Sequence, residues 1–150
     1  MNPETPTPAR PEEAEAITAL LAAQLEEHAI PLAPARLAEG VARALTGDGR
    51  ALILVSRERG RPVGVAYVSF HWPLEAGAWI MWLEELYVLP ELRGRGLGAA
   101  LLRAAIDVAR ERGCVAADLE VVASHVRAAN LYARAGFRPL DRVHWTLSLD

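Results

Sequence analysis

The sequence predicts one mixed α/β domain over residues 1–150, an α+β mixed sheet in the order β-α-α-β-β-β-α-β-α-β. Three observations predict it. Strand-length apolar runs at 51–56, 62–71 and 78–89 follow one another across short turns, as in an antiparallel meander. Beyond them, apolar residues recur at helical spacing between about 97 and 109 and separate the third strand from a fourth at 115–122. That helical crossover makes those two strands parallel. The 150 residues are 52% hydrophobic with a mean hydropathy of +0.12, the size and apolar content of a single core.

In chain order, Pro3, Pro6 and Pro8 favour an extended arm or short edge strand over a helix in residues 1–10. A helix follows. Pro11 suits a first turn, Glu12, Glu13 and Glu15 suit the positive end of the helix dipole, and Ile17, Leu20, Leu21 and Leu25 form an apolar stripe that runs to about His28. Pro31 and Pro34 break the chain. Leu37, Val41 and Leu45 then mark a second helix ending near Gly47. In the meander, 57–61 is a charged turn and 72–77 a hairpin connection. After it, Leu97, Leu101, Ala104 and Val108 with Leu102, Ala105, Ile106 and Ala109 form a wide apolar face, Arg103, Asp107, Arg110 and Glu111 lie opposite, and Gly113 stops the helix. Ser124 can cap a last helix that Gly136 ends, and 143–149 alternates weakly, as a closing strand would.

Composition removes several classes of function. Net charge is −3, and all 16 basic residues are arginines scattered along the chain, so no basic stripe suggests nucleic acid. The single cysteine, Cys114, allows neither an internal disulfide nor a cysteine-rich metal site. The four histidines lack metal-ligand spacing, so no metal is expected. No apolar run reaches the ~18 residues of a membrane span, and the polar, proline-rich start does not read as a signal peptide. A cytoplasmic protein without membrane contact is the expectation.

The most informative stretch joins the third strand to the helix after it, Arg93-Gly94-Arg95-Gly96-Leu97-Gly98-Ala99. Alternate glycines let the backbone approach a bound group without Cβ obstruction, and the first N–H groups of the helix point toward that group. Such a bend suits an anion, phosphate above all, with Arg93 and Arg95 adding charge.

These residues match the Arg/Gln-x-x-Gly-x-Gly/Ala signature of the GCN5-related N-acetyltransferase (GNAT) superfamily, placed after a strand that ends in Leu86-Tyr87-Val88. Downstream, Ala128, Leu131, Tyr132, Gly136 and Phe137 resemble the family's second signature, Asn-x-x-Ala-x-x-Leu-Tyr-x-x-x-Gly-Phe. The chain order is similar as well. The resemblance implies acetyl-CoA as cosubstrate, its pyrophosphate on the amides of residues 94–99 and its pantetheine arm along the backbone of Leu86, Tyr87 and Val88. It implies transfer to an amine in a ternary complex and allows a homodimer. One position departs from the signature: His125 stands where the family has asparagine. It could bond the cofactor through a ring nitrogen or be a surface histidine at a helix start.

Acetyl transfer to an amine needs a neutral nucleophile, a donor for the developing oxyanion and an acid for the departing thiolate. By the same resemblance the Leu86 amide is the oxyanion donor and Tyr132 the acid; a packing role is the competing reading of the tyrosine. Glu84 and Glu85 interrupt an apolar strand, where two buried carboxylates without partners would be costly. Consecutive strand residues face opposite ways, so one of them serves the acceptor unless a bulge re-aims the other. Analogy with small-amine acetyltransferases puts Glu84 first as base and Glu85 second. The acidic first helix adds Glu26 and Glu27 as weaker candidates for a distal ammonium, and favours cationic amines as acceptors. Two alternatives stand beside this reading. One is a non-catalytic acyl-CoA-binding module on the same fold. The other is a Rossmann-type dinucleotide site, since Gly94, Gly96 and Ala99 fit a variant of that fingerprint.

Overall fold

The computed structural model describes residues 4–149, so Pro3 of the expected arm lies outside the described residues. The chain divides after Glu120 into two compact units.

The first unit is a five-stranded sheet in the order β1-β2-β3-β4-β5 with three helices. β1 (Thr7–Pro8) is the short edge strand that the prolines suggest, antiparallel to β2 (Ala51–Glu58). A 3-10 turn at Pro11–Glu13 leads into α1 (Ala14–Glu27), and α2 (Pro34–Thr46) begins with Pro34 in its first turn. β2 turns into β3 (Arg61–His71) through Arg59 and Gly60, both at positive φ (52° and 76°). This is the backbone of a two-residue hairpin whose twist matches the strands. β4 (Ile80–Val88) is antiparallel to β3, and α3 (Leu97–Glu111) crosses over to β5 (Ala116–Leu119), parallel to β4 as the crossover requires.

Helices cover both faces of this sheet. Ile17, Leu20 and Leu21 of α1 and Val41 of α2 pack on Ile53, Val55, Val65 and Tyr87. The strand residues between these turn the other way, where Leu54, Ala66 and Val68 are fully buried. Gly64 shows what covers that side: a Cβ there would lie 3.1 Å from Leu101 Cδ1 of α3 and 3.2 Å from the Tyr87 carbonyl oxygen. The buried stripe of α1 is Ile17, Leu20, Leu21 and Gln24, not the expected run ending in Leu25, because the helical repeat brings residue 24 onto the sheet.

β4 carries a bulge. Tyr67 pairs with Glu85 and Val68 with Leu83, so Glu84 is the extra residue on β4. Two hydrogen bonds locate the backbone phase on either side of it. Val115 N–H donates to the Trp79 carbonyl (3.0 Å), which turns residues 79, 81 and 83 toward β5. Leu89 N–H donates to the Val63 carbonyl (3.0 Å), which turns 87 and 89 toward β3 and leaves the N–H groups of Leu86 and Val88 on the β5 side. β5 ends at Leu119, opposite Leu83. Among the described residues, β4 beyond the bulge has no strand partner on that edge.

The second unit is built on α4 (Val126–Arg134). His125, not the expected Ser124, occupies its N-cap position, and no side chain caps the helix there. Its other end closes as the glycine predicts. Gly136 (φ 98°) donates to the Ala133 carbonyl and Phe137 to the Tyr132 carbonyl, both at 3.0 Å, the paired bonds of a Schellman motif. The closing strand expected at 143–149 is not formed. Its alternation is real, but Val143, Trp145, Leu147 and Leu149 are exposed and the segment joins no ladder among the described residues; a period of two makes a strand only where a neighbour accepts its hydrogen bonds.

Candidate active site

The glycine bend forms as its sequence implies. After β4, Pro90–Leu92 makes a 3-10 turn, Arg93 is extended, and Gly94 (φ 80°) and Gly96 (φ 84°) take left-handed conformations that other residues rarely adopt. Gly96 is the N-cap of α3, and the first helical bond runs from Ala100 N–H to its carbonyl at 2.9 Å. The amides of residues 94–99 therefore precede the helical ladder, at the positive end of the dipole. A Cβ built at Gly94 or Gly96 meets nothing within 4 Å, so the space in front of the bend is open. Leu97 is buried in the α3 face, which leaves only its backbone at the bend, as for Gly98 and Ala99.

The two arginines of the bend differ. Arg95 is exposed, 3.9 Å from Glu58, and its charge is available to an anion. Arg93 is engaged: it grips both oxygens of Glu27 (2.9 and 2.8 Å), donates Nε to the Val88 carbonyl (2.9 Å) and stacks over the Tyr87 ring. Its role in this geometry is to fasten the bend to α1 and the end of β4. Glu27 is the other half of that clamp. Glu26 lies apart, lining a shallow groove with Thr18, Ile30 and Pro31.

The bulge brings Glu84 and Glu85 to one face. Glu85 stands opposite Tyr67, whose face also holds Val65 and Ser69, and Ser69 Oγ donates to Glu84 Oε1 at 2.6 Å. Without the extra residue, Glu85 and Tyr87 would share the face of Met81 and Leu83. Their surroundings separate the two acids. Glu84 is exposed, whereas Glu85 is half-buried in a groove of about 150 Å³ between α1, α2 and the sheet, walled by Leu21, Leu25, Leu37, Val41 and Ile53. Burial raises the Glu85 carboxyl above the usual range, the Glu84 charge raises it further, and a hydrogen bond from the Gln24 amide partly offsets both. Burial also raises the Tyr67 hydroxyl, with the Glu84 charge adding to it. The 72–77 connection lines no part of this groove; Trp72 packs edge-on against Trp79.

Gln24 and Tyr67 are the site residues that reading the sequence missed. For Gln24 a signal existed: an amide at the fourth position of an apolar stripe, where the fold wants a hydrocarbon.

In the second unit, Tyr132 is half-buried on α4 with its ring edge-on to Phe137 at 6.0 Å between centroids. His125 is half-buried at the start of the same helix and donates its backbone N–H to the Val122 carbonyl. No group of three potential metal ligands occurs among the described residues, and no helix among them is long and apolar enough to cross a membrane.

Comparison with known proteins agrees with this geometry. The mycothiol acetyltransferase of Clavibacter sepedonicus is 40% identical over 94 residues, 61% of this chain and 28% of that protein. The thialysine N-epsilon-acetyltransferase of Sus scrofa is 37% identical over 60 residues, 40% of this chain and 35% of that protein. The chain thus spans only about a third of the length of these curated relatives. An aminoglycoside N-acetyltransferase solved in complex with CoA shares the fold, with a TM-score of 0.83 at 17% identity over 97% of this chain and 94% of that one. The antiparallel β3–β4 pair before the bend removes the Rossmann alternative, which needs a parallel βαβ start. Residues 15–137, most of the chain and both of its signatures, match the acetyltransferase (GNAT) family, and the chain belongs to it.

Proposed function

We propose that the chain is one N-acetyltransferase domain that moves an acetyl group from acetyl-CoA to the primary amine of a small acceptor, by direct attack in a ternary complex. The observation that carries this reading is the bulge at Glu84. One inserted residue turns the Leu86 and Val88 amides to an edge without a strand partner and, in the same step, turns Glu85 into the groove on the α1–α2 face.

The residues present suit acetyl-CoA. The open glycine bend, the amides of residues 94–99 and Arg95 fit a pyrophosphate, and the edge of β4 beyond the bulge, without a strand partner among the described residues, offers an amide-bearing arm the N–H groups of Leu86 and Val88. When bound, acetyl-CoA supplies the activated acetyl thioester. The chain's own residues do the rest. Glu85, whose carboxyl is raised above its ordinary range by burial, takes the proton of the incoming ammonium. This reading puts Glu85 before Glu84, the reverse of the order expected from sequence, and the exposure of Glu84 and its bond to Ser69 support it. The Leu86 N–H is the donor for the oxygen that gains charge. Tyr132 is assigned to protonate the departing thiolate on family resemblance, and His125 to the cofactor on the same ground. The names of the relatives, which specify acetyl transfer and in one case an amine nitrogen, support an amine acceptor.

A thiol-release assay with acetyl-CoA and a panel of amines tests the reading. Release that depends on an added amine is expected. Stabilisation by acetyl-CoA with no release from any amine would instead select the non-catalytic binding module.

A further inference from the structure

The groove beside Glu85 has a composition that specifies its occupant. Gln24 is 5% exposed, and its Oε1 is buried with no hydrogen-bond partner. Its amide lies beside Glu85 and lowers that carboxyl against the effect of burial. Glutamine at a core position of α1, with one carbonyl left unpaired, weakens the fold relative to a hydrocarbon of the same shape. The folded chain alone gives no reason for it. A ligand donor at that oxygen does.

Gln24, Glu85 and Tyr67 are the polar residues that line the groove, and no arginine lines it. An unpaired amide oxygen and a carboxyl in one lining call for a group with several N–H donors, and nothing in the lining would neutralise a carboxylate. The rest is aliphatic, so a second cation on the ligand would be buried against leucine and valine. At about 150 Å³ the space is well below the roughly 300–1,000 Å³ of pockets that hold drug-sized ligands. We infer that this groove receives an acceptor with one primary ammonium on a small apolar body, the ammonium held between Gln24 Oε1 and the Glu85 carboxylate. The inference rests on the transferase reading for the fate of the amine, though not for its binding. It narrows the cationic acceptor to a monoamine and makes Gln24 a specificity-determining residue.

The test combines calorimetric binding with thiol release, using phenethylamine as the apolar monoamine and spermidine as the polyamine. Both are titrated into the whole chain and into Gln24→Leu, with and without acetyl-CoA. The expected result is tighter binding of phenethylamine than of spermidine, weakened about 10-fold or more in Gln24→Leu. That variant should melt no lower than the wild type, since it removes an unpaired buried carbonyl. Gln24→Met repeats the change with a more adaptable side chain should leucine pack badly. Phenethylamine binding indifferent to both substitutions, preference for spermidine, or no binding of either amine overturns the inference. Gln24-dependent binding without thiol release upholds the pocket and removes the transferase reading; release that ignores Gln24 does the reverse.

Discussion

Ser69 Oγ donates to Glu84 Oε1 at 2.6 Å across the β3–β4 pair, while the neighbouring Glu85 lines a groove together with Gln24 of α1. The bulge sets two carboxylates on one face in different surroundings, one exposed and one half-buried. If Glu85 is the base, kcat/KM should rise with pH through an apparent pKa above the ordinary carboxylate range, because burial and the Glu84 charge both raise it. Glu85→Gln should remove that limb and lower kcat by about 10²–10⁴-fold. Glu84→Gln should keep most of the activity and move the limb toward acid, since removing a negative neighbour lets Glu85 ionise at lower pH. A pH–rate profile of each variant checks the assignment. Loss of the limb in Glu84→Gln, with Glu85→Gln fully active, would restore the order expected from sequence.

The bend gives a prediction in which strain and ligand binding are separable. Saturating acetyl-CoA should raise the melting temperature by mass action, about 2.7 kcal/mol at a hundredfold excess over Kd, with NAD and ATP doing much less. Gly96→Asp adds a negative charge in front of the helix amides and should abolish that gain. Gly49 has nearly the same φ (81° against 84°) and equally open surroundings, so Gly49→Asp should lower stability by a similar amount yet leave the acetyl-CoA shift intact. An equal loss of the shift in both variants would mean that strain, not the anion, decides it.

Tyr132 can be tested with its packing preserved. Phenylalanine keeps the edge-on contact with Phe137 and the Schellman bonds that end α4, so the fold and acetyl-CoA affinity should change little. Turnover should fall by about 10²–10⁴-fold if the phenol is the acid, with the acceptor KM less affected. A donor with a less basic thiol should narrow the deficit. Wild-type turnover, measured where chemistry limits the rate, would falsify the assignment.

Acid should unfold the first unit through Glu13. The side chains of Glu13 and Arg57 are 6% and 9% exposed, and they meet through two bonds of 2.6 and 2.7 Å. Arg10 donates its backbone N–H and its guanidinium to the same carboxylate. The Arg57 hydrogen bond leads in holding Glu13 down at about 2 against an ordinary 4.5, and burial opposes it. A depressed carboxyl stabilises the fold fully above its unfolded pKa and loses that contribution as pH falls through the folded value. Urea midpoints should therefore decline from about pH 4.5 toward 2. Glu13→Gln should flatten that part of the decline and cost about 3–5 kcal/mol at neutral pH, because Arg57 keeps its charge in a buried place.

The legible parts of this protein were those set by local chemistry. The glycines at 94 and 96 read as a backbone bend, Pro11 as a first turn and Gly136 as a helix stop, and each is so in the structure. What stayed hidden depends on partners distant in sequence. A bulge at Glu84 exists only in the register between β3 and β4, and two adjacent glutamates fit a bulged strand as well as a regular one. Gln24 lies in phase with the apolar stripe of α1, but that it lines a groove with Glu85 depends on the sheet beneath it. The segment 143–149 erred the other way, since its alternation promised a strand that needs a ladder neighbour.

The extra residue in β4 also makes this strand sensitive to length as well as to composition. A substitution at Glu84 leaves the phase of the strand untouched, but deleting that one residue would turn Glu85 and Tyr87 onto the α3 face and swing the Leu86 and Val88 amides into β3. Core packing and both proposed substrate contacts would fail together, from a change that removes only an exposed side chain. Chimaeras that graft β4 from a relative therefore have to match the count of residues between Leu83 and Leu86 before they match their identities.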